Sequence, residues 1–326
     1  MLQYLIIQLD DTSTSYCHYE NENRTHNLIS IDNLKAGIFF AMKENLNIQF
    51  VYPDYALPQE YNDLIKTIDH TKVKPYGNST DADVVVVEGC HALDDVAFVK
   101  DCVYVVRTDR VGLFKEHGLI SSALEKVTRL NVVITDVEMF TEDDFVTYRS
   151  VLASLSKELE RLYADGKSPQ LNILTDRMML DKMNNCGAGD TTVTLAPDGK
   201  FYVCPAFYQV PQADGAETSI GSVCGKGYAV GDLQNGLDIK NPQLYKLDYA
   251  PLCRKCDAYQ CKRCVWLNRK TTYEVNTPSH EQCVVAHLER NASRELLAAI
   301  RKHGVFLPQQ EIAEIDYLDP FDKREE

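Results

Sequence analysis

The chain has 326 residues, of which 44% are hydrophobic and 25% charged, with a net charge of -14. That size and composition describe one large or two medium globular domains, so no metal is needed merely to rescue a small fold. The acidic balance, with no long Lys/Arg run, argues against duplex nucleic acid as a partner, because neutralising phosphates needs a basic surface.

The first ten residues, Met1 to Asp10, have neither a basic n-region nor a long apolar run, so no signal peptide is read. No window of about 18 apolar residues predicts a membrane span. The 11 cysteines, with no secretion signal, point to a reducing cytoplasm. There, clustered cysteines are more often metal ligands than disulfides.

Residues 4–9 are a short apolar run of strand length. Residues 32–45 place Leu34, Ile38, Phe39 and Met42 at helical spacing, with Asp32 as the expected N-cap. Residues 47–52 predict a second strand, and 58–69 a helix opened by Pro58. The run Asp83-Val-Val-Val-Val-Glu88 predicts a third strand of the fully buried kind. Strands are also expected at 102–107, 131–135 and 171–175. Helices are expected within 110–129 and over 141–164, where Thr141 precedes Glu142, Asp143 and Asp144. Six apolar strands separated mostly by helices predict an α/β domain with parallel strands, as a doubly wound sheet or a partial barrel. No Gly-rich phosphate loop follows any strand.

From about Asp181 the text changes. Gly, Cys, Pro and Tyr become denser and helical stripes fade. Residues 192–203 predict a hairpin that turns at Pro197-Asp198-Gly199. Residues 206–250 read as irregular, helix is expected again at 284–303, and the charged tail from Asp319 as frayed.

The cysteines of this half are spaced Cys253-x2-Cys256-x4-Cys261-x2-Cys264-x18-Cys283, with Cys186 and Cys204 upstream. Each Cys-x2-Cys pair can converge two soft donors on one centre, which suits Zn²⁺ or an iron–sulfur cluster. Four sulfurs would complete a single zinc site and leave the other three unexplained.

The full pattern adds Cys186-x12-Gly199-x4-Cys204. It resembles the SPASM domain, the auxiliary-cluster domain of radical SAM enzymes that mature ribosomally made peptides. Two inner spacings are each one residue shorter than the usual pattern. The resemblance implies two [4Fe–4S] clusters, with zinc as the alternative. Cys186, Cys204 and Cys264 would ligate the first cluster, and Cys253, Cys256, Cys261 and Cys283 the second. Cys224 is a candidate fourth ligand of the first.

The N-terminal half is then expected to resemble a radical SAM partial (β/α)6 barrel over residues 1–180, followed by the SPASM-like domain with its hairpin and C-terminal helix over 181–326. That barrel carries Cys-x3-Cys-x2-Cys after its first strand. Here Tyr16-Cys17-His18-Tyr19 resembles the end of that motif, but Asp10 and Thr14 replace the other two cysteines. The Gly-Gly-Glu-Pro expected after strand two is replaced at Phe50-Val51-Tyr52-Pro53-Asp54-Tyr55, with no glycine. No bound S-adenosylmethionine is expected, Cys17 is read as a loop thiol, and no catalytic residue is assigned.

The chain resembles the CXXX repeat peptide maturase family. That implies a role in maturing a Cys-repeat peptide as a peptide-binding or electron-transfer component, alongside a true radical SAM enzyme and with the precursor peptide as partner. The alternatives are a zinc- or cluster-stabilised scaffold and a divergent, active radical SAM enzyme.

Overall fold

The computed structural model describes residues 2–21, 25–77, 81–209 and 227–314. Cys224 and the tail from Asp319 lie outside the described residues. The chain forms two compact units that interleave along the sequence. The first holds Met1–Ser15, Tyr19–Ala82 and Gly187–Lys246; the second holds Tyr16–His18, Asp83–Cys186 and Leu247–Glu326.

In the first unit, β1 (Tyr4–Gln8) pairs in parallel with β2 (Asn47–Val51), with Tyr4 opposite Asn47 and Gln8 opposite Val51. On the far side of β2 lies β3 (His70–Pro75), also parallel. The pattern missed β3 because only Val73 in it is an apolar core residue. Its lysines are satisfied instead, Lys72 Nζ lying 2.7 Å from Asp81 and Lys74 also paired with that carboxylate. The helix α1 (Ile31–Glu44) begins one residue before the expected Asp32 cap. Ser30 is the cap, accepting from Asn33 N at 3.1 Å, while Asp32 sits in the first turn. The short α2 (Gln59–Ile65) follows Pro58 as expected. Leu5, Ile7, Phe50, Leu34, Ile38 and Ile65 meet in the core of this unit.

The second unit carries four parallel strands: β4 (Val84–Glu88), β5 (Val103–Thr108), β6 (Arg129–Ile134) and β7 (Gln170–Leu171). The helix α3 (Arg110–Leu124) is capped by Asp109. The long α4 (Glu142–Ala164) starts with a full capping box, Thr141 N donating to Asp144 Oδ2 at 2.9 Å. The strand expected at 171–175 is cut short. Thr175 Oγ1 takes the Leu171 N–H at 2.9 Å, closing a turn that leads into α5 (Asp176–Met179). The described residues thus hold three parallel strands in the first unit before the hairpin and four in the second, where six strands in all were expected, each unit with an α/β arrangement.

The hairpin is as expected and belongs to the first unit. Its strand β8 (Thr192–Leu195) pairs in parallel with β1 and antiparallel with β9 (Phe201–Tyr202). Gly199 turns it at φ +77°, and Asp198 Oδ1 accepts from Lys200 N at 3.0 Å. The stretch read as irregular contains α6 (Pro205–Gln209) and the small antiparallel pair β10 (Gly231–Asp232) and β11 (Gly236–Leu237). In the second unit, α7 (Val265–Thr272) is a helix the pattern did not show, and α8 (His280–Ile300) begins four residues before the expected 284. The N-cap Ser279 accounts for that earlier start, accepting from Gln282 N at 3.3 Å. α8 packs along α4. No helix among the described residues is long and apolar enough to cross a membrane.

Candidate metal centre

Within the second unit, a cavity of about 300 Å³ is lined by Cys253, Cys256, Cys261 and Cys283 together with Lys255, Arg263 and His287. Three separate backbone devices bring the four thiols there. Cys253 and Cys256 flank a tight turn in which Cys256 N donates to Cys253 O at 3.1 Å. Cys261 ends a 3-10 turn over Tyr259–Cys261. Cys283 lies in the first turn of α8, where Ser279 O accepts its N–H at 3.2 Å.

Cys264 is absent from this lining. Lys262 and Arg263 both adopt left-handed backbone, at φ 59° and 46°, and this turns the chain away after Cys261. Cys264 then caps α7, its Sγ accepting from Leu267 N at 3.5 Å. Cys186 is tied to the same turn, its N–H donating to Lys262 O at 2.9 Å. Cys204 stands in the first unit, just after β9.

Burial favours the neutral form of three thiols around the cavity. Desolvation pushes Cys253 up to about 11 and Cys261 up to about 12, and raises Cys256 as well. Cationic side chains stand close by, Arg263 acting on Cys253 and Arg290 and Arg177 on Cys256. Thiolates bound to metal are deprotonated outright, so a cationic surround of this kind offsets the charge that ligation would create.

Sequence reasoning missed the frame that supports the cavity. Asp257, next to Cys256, is gripped by Arg290, with Nε at 2.8 Å from Oδ1 and Nη2 at 2.8 Å from Oδ2. Arg177 adds a contact at 3.4 Å and lies over the Tyr259 ring at 4.1 Å. His287 is buried one helical turn after Cys283, with Nε2 3.4 Å from Cys256 Sγ. The Cys-x3-His spacing on one helix face was the available signal for it. Buried Glu289 accepts from Tyr148 OH at 2.7 Å.

The four thiols fit a polynuclear cluster as a donor set. They are soft sulfur ligands spread over the wall of one cavity. Among the described residues, no group of three or more His, Cys, Asp or Glu side chains converges tightly enough for a single ion.

Several solved structures resemble the chain. It shares the fold of anSMEcpe. The match to hexahistidine-tagged anSMEcpe with bound AdoMet has a TM-score of 0.56 at 11% identity and covers 93% of this chain and 99% of that one. Native anSMEcpe with bound AdoMet and Kp18Cys peptide matches with a TM-score of 0.56 at 10% identity, over 92% and 99%. Streptococcus suis SuiB bound to precursor peptide SuiA matches with a TM-score of 0.38 at 12% identity, over 65% and 61%. No protein-family model and no curated protein matches the sequence.

The three positions aligned with the SAM-cluster motif are divided between the units, with Asp10 and Thr14 in the first and Cys17 in the second. Asp10 is fully buried and both of its carboxylate oxygens are engaged. Oδ1 accepts from Thr12 N at 2.9 Å and Thr12 Oγ1 at 2.6 Å, and Oδ2 accepts from Tyr55 OH at 2.8 Å. Thr14 N donates to Tyr52 O at 3.0 Å, and the Tyr52 side chain is itself buried, with Lys74 Nζ 4.6 Å from its ring centre.

Proposed function

We propose that the chain takes part in maturing a ribosomally made Cys-repeat peptide, as a cluster-bearing component with no SAM cluster of its own. The observation that most supports this is the single cavity lined by Cys253, Cys256, Cys261 and Cys283. In this reading these four hold one [4Fe–4S] cluster. Cys186 and Cys264 serve a second, to which the SPASM resemblance also assigns Cys204. When bound, such clusters supply one-electron transfer or a Lewis-acidic iron. The chain's own residues bury Cys253, partly bury Cys256, Cys261 and Cys283, set Arg263 beside Cys253 and Arg290 and Arg177 beside Cys256, and brace this loop on α8.

The loop after β1 supports the absence of a SAM cluster. Asp10 accepts from Thr12 on one carboxylate oxygen and from Tyr55 on the other. A hydroxyl and an occupied carboxylate do not fit a site that needs three thiolates on iron. We therefore assign no step to S-adenosylmethionine. A peptide partner fits the fold likeness, since one anSMEcpe structure contains the Kp18Cys peptide. The domain boundary near residue 181 is kept in this reading as the start of the SPASM-like part.

Anaerobic purification followed by assays for iron, sulfide and zinc tests the proposal. The expected result is about eight irons with matching sulfide and a spectrum unchanged by S-adenosylmethionine. Stoichiometric zinc without sulfide would replace the clusters with the scaffold reading. Cleavage of S-adenosylmethionine would overturn the account of the loop after β1.

A further inference from the structure

We propose that His287 tunes the cluster held by Cys253, Cys256, Cys261 and Cys283: it donates an Nε2–H hydrogen bond to the Cys256 sulfur and so raises the cluster's reduction potential. This rests on the reading above that these four thiols hold a cluster. It gives a task to a histidine for which the sequence offers only a Cys-x3-His spacing.

Helix α8 supplies the first argument. Cys283, His287 and Arg290 stand at i, i+4 and i+7, on one stripe of the helix. Cys283 and His287 line the cavity, and Arg290 grips Asp257 through two contacts of 2.8 Å. Asp257 follows Cys256 directly, so the arginine fixes the Cys256 backbone against the helix face from which His287 reaches it. His287 and Arg290 are both buried. Burying an imidazole costs free energy unless its nitrogens find partners, and Cys256 Sγ, 3.4 Å from Nε2, is a partner in the cavity wall.

The chemistry of the sulfur supplies the second argument and fixes the direction of the bond. Between a free thiol and an imidazole either group can donate. A cysteine bound to iron is a thiolate with no proton and can only accept. The 3.4 Å contact then persists as a hydrogen bond only with the proton on Nε2. The same sulfur already accepts from the backbone, Ala258 N lying 3.4 Å away. Two N–H donors on one sulfur draw electron density from it and favour the redox form with one more negative charge, and hydrogen bonds to ligand sulfurs are among the factors that set a cluster's potential. His287 thus acts through Cys256 and not on iron. In the tests below dithionite supplies the single electron, and His287 keeps its proton on Nε2.

Two measurements test this on the full chain. The first compares wild type, His287→Phe and His287→Gln, all purified without oxygen, by iron and sulfide content and by EPR-monitored redox titration. All three are expected to hold the same iron and sulfide. His287→Phe keeps a ring but has no N–H. For one cluster its reduced-to-oxidised ratio at a fixed potential is expected to fall about tenfold, a downward shift of about 59 mV for a one-electron couple. His287→Gln retains an N–H donor and is expected to lie closer to wild type. Loss of about four irons in both variants would make His287 a ligand or a structural prop and overturn the proposal. A His287→Phe potential equal to wild type overturns it while leaving the cluster in place. Wild type lacking iron and sulfide overturns both readings.

The second measurement needs no variant. Wild type labelled with nitrogen-15 at histidine alone is reduced with dithionite and examined by pulsed EPR. A weak nitrogen coupling, of the kind carried through a hydrogen bond to a ligand sulfur, is expected. A strong coupling, as from imidazole bound directly to iron, or no coupling at all, would refute the assignment.

Discussion

Glu289 offers a test of the second unit's core that does not depend on which metal is bound. Its carboxyl is buried on α8, and desolvation lifts it from an ordinary 4.5 to about 7, against the hydrogen bonds from Tyr148 and Gln260 that favour the charged form. Between those two values the folded chain holds a proton that the unfolded chain has released. Stability therefore falls as pH rises from 4.5 to about 7 and is level above that. At about 1.4 kcal/mol per pH unit, the full penalty is about 3 kcal/mol. Glu289→Gln keeps an acceptor for Tyr148 OH but cannot ionise. The variant should match wild type near pH 4.5 and exceed it by about 1–3 kcal/mol at pH 8, the range allowing for imperfect replacement of the hydrogen bonds. Urea unfolding of both proteins at about pH 5 and about pH 8, in the same metal state, measures this. An offset between the two that is the same at both pH values would refute the reasoning, because it would mean Glu289 does not change protonation on folding.

Asp257→Asn removes the counter-charge from Arg290 and Arg177, both almost wholly buried, and should cost roughly 2–4 kcal/mol in unfolding free energy. The fully buried case would cost more, but Asp257 keeps 29% of its side-chain exposure. The Asp257 carboxyl is held below its ordinary value by these arginines. Its contribution is thus present at neutral pH and lost as pH falls through the folded value, so the wild-type and Asn curves should converge in acid. Thr141→Ala deletes the α4 capping box and should cost about 1 kcal/mol, read as a lower urea midpoint with the slope unchanged. Gly199→Val puts a branched side chain at φ +77° with its Cβ 2.8 Å from Asn33 Nδ2. It should lower stability by about 1–3 kcal/mol, checked by thermal unfolding, whereas Gly199→Asn should be milder.

Where local chemistry is strong, the sequence was sufficient. The four-valine run of β4, the acidic start of α4 behind Thr141, and the Pro-Asp-Gly turn of the hairpin all form as their residues dictate. β3 was missed because its lysines are satisfied by Asp81, a partner distant in pattern terms that no apolar period reports. α7 was missed because it is eight residues long and begins at a cysteine already counted as a ligand. α8 extends toward the N-terminus because Ser279 caps it, which shifts Cys283 from a loop onto a helical turn.

The amino-acid sequence by itself determined which residues are soft donors and the spacing that groups them, because thiol chemistry and short-range turns are local properties. It also determined that Asp10 and Thr14 cannot serve as thiolates. Only the tertiary structure decided how the donors are divided. Cys261 and Cys264 are three residues apart, yet two left-handed residues between them send one into the cavity and the other to the start of α7. Tertiary structure also joined Cys17 to the unit of Cys186 and Cys264, and placed Arg290, Arg177 and His287 behind the ligand loop. Those relations join residues 31, 33 and 80 positions apart, as in His287 with Cys256, Arg290 with Asp257 and Arg177 with Asp257, and no local pattern encodes such separations.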